Sequence, residues 1–148
     1  MRITSILLPL MAASLLAAGC TKEYVTKEYY EETIIQGTEM TLIDFTVNKW
    51  EMIEDGGYFA ASLPVPEITK DVVNKGNVQV SLRLLTENGA IAWTPLPTIR
   101  VFEEDGITYS VYTDYEWLEG LVKIFVTASD LFTGEKPDPM DFRVAIIM

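Results

Sequence analysis

The chain contains no histidine and a single cysteine, Cys20, and its 11 lysines and arginines face 22 aspartates and glutamates. Each shortage closes off chemistry. Without histidine there is no serine–histidine or cysteine–histidine catalytic pair and no imidazole metal site. One thiol makes neither an internal disulfide nor a zinc–thiolate cluster. At a formal net charge of −11, the basic patch that neutralises phosphates is missing, so nucleic acid is not an expected partner. Gly-rich phosphate loops of the Walker or dinucleotide kind are also absent. Any catalysis would rest on carboxylates, lysine, tyrosine, serine or a hard cation, and no cofactor is expected.

What is present begins at the N-terminus. Arg2 supplies a short positive start, an apolar stretch runs from Ile3 to Leu16, and Ala17-Ala18-Gly19 leads into Cys20. A membrane-spanning helix needs about 20 apolar residues; this run is shorter and is interrupted by Pro9. The arrangement resembles the lipobox of bacterial lipoproteins. The resemblance implies a signal peptide over residues 1–19, cut just before Cys20, whose thiol then carries the lipid. Acyl chains contribute about 0.8 kcal/mol per buried methylene, and stable attachment takes two such signals. Two or three chains on Cys20 would hold a domain of this size on a membrane. Thr21 is not the aspartate that retains enterobacterial relatives at the inner membrane, so the expected location is the outer membrane, with its surface and periplasmic faces both open.

Removing residues 1–19 leaves 129 of the 148 residues, enough for one domain with a core plus a spacer. Residues 20–37 read as the lipidated N-terminus and a tether. Their apolar pairs, Tyr24/Val25, Tyr29/Tyr30 and Ile34/Ile35, recur every five residues, which fits neither a helix nor a strand. The alternative is that the aromatic pairs dock on the domain or on another copy of the chain. From residue 38 onward the pattern is β. Alternation predicts strands over 40–48, 57–63, 77–86, 98–103, 107–113, 121–128 and 141–148. Asn88-Gly89 and Asp105-Gly106 are hairpin signals. One helical turn is predicted near 69–75, with Thr69 as cap, Asp71 in the first turn and Gly76 as a left-handed stop. The expected fold for 38–148 is therefore an all-β, two-sheet β-sandwich of about seven antiparallel strands, Ig-like, with a jelly-roll or partly open barrel as the alternative.

Several marks occur together: Trp50 after the first strand, Tyr58-Phe59 opening another, Pro66-Glu67-Ile68-Thr69, Leu96-Pro97, Tyr109 to Tyr112, and the terminal Phe142-Arg143-Val144-Ala145-Ile146-Ile147. In combination they resemble a family of uncharacterised small surface lipoproteins of Bacteroidetes-type bacteria. The resemblance covers nearly all of residues 42–148. It implies a lipidated β-sandwich and brings no catalytic residues.

Exposed aromatics beside carboxylates make surfaces on which sugars stack. Thr113–Glu119, read as a loop, alternates acidic and aromatic residues, and its Tyr115 and Trp117, with the neighbouring Tyr112, are the candidate ligand-binding residues. Trp50 and Trp93 are expected to plug the ends of the core. Arg83 and Arg143 interrupt apolar strands on their polar faces and are expected to point outward. Asp130, Glu135, Asp138 and Asp141 crowd the segment 129–141. They are weak calcium candidates, because calcium takes six to eight oxygen ligands and the spacing matches no EF-hand loop. Three function classes follow: a non-catalytic surface module binding a protein or glycan partner, a carbohydrate-binding or weakly carbohydrate-active lipoprotein, and a calcium-dependent module.

Overall fold

The computed structural model describes residues 25–35, 37–129 and 136–148. Ten strands and one helix follow in chain order: β1 (Val25–Ile35), β2 (Thr38–Val47), β3 (Glu51–Ile53), β4 (Tyr58–Pro64), α1 (Lys70–Lys75), β5 (Asn77–Leu85), β6 (Ile91–Pro95), β7 (Thr98–Glu104), β8 (Ile107–Leu118), β9 (Leu121–Ala128) and β10 (Met140–Ile147). They form two five-stranded antiparallel sheets, ordered β1-β2-β10-β5-β6 and β3-β4-β9-β8-β7. The fold is an open β-sandwich, not a closed barrel. Because β10 lies between β2 and β5, the likeness to immunoglobulin domains is one of layers and not of strand order.

Period-2 alternation builds the core directly. Ile43, Phe45 and Val47 of β2, Val78, Val80 and Leu82 of β5, and Phe142, Val144 and Ile146 of β10 face inward from the first sheet and are buried. Phe59, Ala61 and Leu63 of β4 meet them with Val122, Ile124 and Val126 of β9. Trp50 closes one end, 5% exposed, edge-on to Phe142 at 6.2 Å, its Nε1 donating to the Asp138 carbonyl.

Four strands of the count differ from expectation. β3 has three residues, too few for periodicity to register, and the five of β6 (Ile-Ala-Trp-Thr-Pro) do not alternate cleanly. β8 does not stop at Thr113 but runs to Leu118. The fourth is β1: part of the segment expected as a tether is an 11-residue strand paired along β2. A register irregularity between Tyr29 and Glu31 explains why the five-residue spacing concealed it. The bulge takes up one residue, so positions 25, 29 and 34 lie opposite Val47, Ile43 and Glu39, all on one parity of β2. Lys27 reaches across to Glu67 at 2.7 and 2.9 Å. An inward charge of this kind on an edge strand discourages further strand pairing.

The helix matches its expected place. Thr69 caps it, its hydroxyl accepting from the Val72 N–H, with Asp71 in the first turn and Lys75 in the last. Its stop is different. Gly76 has φ −96°, not a left-handed value; it is needed for room, since a Cβ there would lie 2.6 Å from the Ile147 carbonyl oxygen. The left-handed pair is Asp105-Gly106, at φ 51° and 77°, the two-residue turn that joins β7 to β8.

Candidate functional site

The outward face of the first sheet carries the most organised polar surface. Antiparallel register places Glu28, Asp44, Arg143, Ser81 and Pro95 in one row across the five strands. The row beside it contains Thr26 opposite Thr46, Thr46 opposite Asp141, and Arg83 opposite Trp93. In β2, β5 and β10 these are the outward positions between core residues, so the alternation that builds the core also builds this face.

Arg143 donates from Nε to Asp44 Oδ1 at 2.7 Å and from Nη2 to Asp44 Oδ2 at 2.8 Å. Its guanidinium also lies 4.1 Å from the centroid of the Trp93 ring, within cation–π range. Asp141 is gripped on both oxygens: the Thr46 hydroxyl donates to Oδ1 at 2.7 Å and Arg83 Nη1 to Oδ2 at 2.8 Å. The Thr46 hydrogen bond, the largest influence, outweighs the opposing push from burial, and with the Arg83 hydrogen bond and charge it holds the Asp141 carboxyl below its ordinary 3.8. Between these side chains runs a groove of about 440 Å³, from Thr26 and Glu28 to Ile91 and Trp93. That volume lies within the range of small-molecule sites.

A second, larger concavity of about 980 Å³ opens between the sheets, lined by Leu84, Phe102, Tyr109 and Val111 with Arg100 and Glu104 at its margin. Phe102 and Tyr109 stack at 5.5 Å, and Arg100 lies 4.9 Å from the Phe102 ring centroid.

The residues singled out from sequence do not gather. Thr113–Leu118 is strand and not loop, so side chains alternate between faces. Tyr112 is outward and exposed, its hydroxyl donating to Asp114 Oδ2 at 3.0 Å. Tyr115 and Trp117 have the opposite parity and pack against the core. The Tyr115 hydroxyl crosses to the other sheet and donates to the Val78 carbonyl at 3.1 Å. The three therefore form no common platform. Trp93 does not plug the core either; it lies on the outward face beneath Arg143.

Of the calcium candidates, Asp130 and Glu135 lie outside the described residues. Asp138 offers its carbonyl to Trp50, and Asp141 is committed to Thr46 and Arg83. Among the described residues no group of three or more acidic, cysteine or histidine side chains is placed to hold a metal ion. Cys20 and the signal segment also lie outside them. Among the described residues, no helix is long and apolar enough to cross a membrane.

The groove's arginines were visible in the sequence as outward residues, and their partners were not. Asp44, Thr46 and Asp141 become neighbours of Arg143 and Arg83 only once β10 is known to lie between β2 and β5. Comparison with protein-family models, with curated proteins and with solved structures gave no match.

Proposed function

We propose that the protein is an outer-membrane lipoprotein, anchored by acyl chains on Cys20, whose β-sandwich is a non-catalytic surface module for binding a protein or glycan partner. The anchor rests on the processing signal from Arg2 to Cys20. β1 begins at Val25, and a fully extended chain advances at most about 3.6 Å per residue. The spacing from Cys20 therefore keeps the start of the sandwich within about 18 Å of its lipid. An anchored module of this kind would sit against the membrane surface and not on a long stalk.

The single observation that carries the non-catalytic reading is the state of the groove's carboxylates. General acid catalysis at neutral pH requires a carboxyl whose pKa is raised. Asp141 is shifted the other way, and both oxygens of Asp44 accept from Arg143. Side chains committed in this manner orient and hold.

Palmitate labelling tests the anchor. In a host with the lipoprotein pathway, the wild-type chain is expected to take up labelled palmitate and sediment with membranes, while Cys20→Ser does neither. Equal labelling of both chains would overturn the reading.

A further inference from the structure

We propose that the groove across the outward face of the first sheet is a binding site for a neutral oligosaccharide. The inference rests on the binding-module reading above and gives it a ligand class. The site differs from the aromatic segment that the sequence suggested.

Three properties select the ligand. The first is shape. The groove reaches from β1 to β6, four interstrand spacings of about 4.8 Å or roughly 19 Å in all. That is a track for a chain of rings and not a pocket for one small ion. The second is charge. Arg83 and Arg143 are each paired to a carboxylate, and Glu28 adds a further acidic group to the lining. With no excess positive charge in an acidic protein, a phosphate, a sulfate or a polyanionic glycan is disfavoured.

The third property is the kind of contact on offer. On a sheet face the backbone N–H and C=O groups are already used in the ladder, so a peptide cannot add as a strand there. What remains is side-chain chemistry: guanidinium donors, carboxylate acceptors and the Thr26 and Thr46 hydroxyls, bordered at the β6 end by the Trp93 indole. Sugar hydroxyls both donate and accept, and the indole, one face of which carries the Arg143 guanidinium, adds an apolar border. The ion pairs hold the donors and acceptors in place before a ligand arrives, which lowers the ordering cost of binding.

The test is a titration of the full-length, detergent-solubilised protein with neutral gluco-, manno- and xylo-hexasaccharides, read by tryptophan fluorescence and calorimetry. At least one is expected to bind saturably. Trp93→Ala is expected to weaken that binding by about tenfold or more, Trp93→Phe to retain most of it, and Tyr112→Ala, on the other sheet, to leave it unchanged. Thermal melts of each variant establish that it is folded. Two results would overturn the proposal: no binding of any hexasaccharide by folded wild-type protein, or equal losses in Trp93→Ala and Tyr112→Ala. Either could occur with palmitate labelling of Cys20 intact, so failure of the sugar site and failure of the anchored module are distinguishable.

Discussion

Arg143 on β10 and Asp44 on β2 stand directly opposite each other in the antiparallel register and are joined by two parallel hydrogen bonds of 2.7 and 2.8 Å. The fork of the guanidinium matches the two carboxylate oxygens, a geometry lysine cannot reproduce. With 30% and 19% of their side chains exposed, the pair is only partly screened by water. Arg143→Ala is expected to destabilise the fold by about 1–2 kcal/mol, including the lost contact with Trp93. A double-mutant cycle with Asp44→Asn in urea is expected to give a coupling energy of about 0.5–1 kcal/mol. Strict additivity would mean the pair contributes no interaction.

Asp141 makes the fold sensitive to acid. Its carboxyl titrates below the ordinary 3.8 in the folded chain, chiefly because the Thr46 hydroxyl and Arg83 donate to it. The unfolded chain therefore takes up this proton at a higher pH than the folded one. Its contribution is fully present above the ordinary value and disappears as pH falls through the depressed one. The stability gap between wild type and Asp141→Asn is expected to narrow between about pH 5 and pH 2, as measured by urea melts. A gap constant over that range would show that Asp141 is not held as described.

Tyr115 ties the sheets together. Tyr115→Phe removes one inter-sheet hydrogen bond to Val78 and is expected to cost about 1 kcal/mol. Were Tyr115 a ligand platform and not a structural tie, the same substitution would leave the melt unchanged.

Gly76 is required for space. An added methyl would press on the Ile147 carbonyl, which belongs to β10 and cannot give way as a flexible side chain would. Gly76→Ala is expected to destabilise by about 1–3 kcal/mol. A neutral result would indicate that the α1–β5 junction relaxes freely.

The fold was legible wherever a strand alternates cleanly over five or more residues. Val78, Val80 and Leu82, and likewise Phe142, Val144 and Ile146, declared both their strand and its buried face. β1 was not legible because its bulge breaks the period that a pattern search relies on. The stretch Asp114-Tyr115-Glu116-Trp117 was misread for another reason. Its acid–aromatic alternation is the period-2 signature of a half-buried strand, and its charges suggested a loop. The groove was out of reach from sequence because its pairs lie far apart in the chain, Thr46 with Asp141 and Asp44 with Arg143. Strand order brings them together, and local pattern does not encode strand order.

A lipid-anchored module must leave its host with an acylated N-terminal cysteine. Intact-mass spectrometry of the protein purified from membranes of a lipoprotein-processing host tests it most directly. The expected result is a chain that begins at Cys20, lacks residues 1–19, and carries the added mass of its acyl chains. A chain of unmodified mass beginning at Met1, or one cleaved elsewhere with an unmodified cysteine, would contradict it.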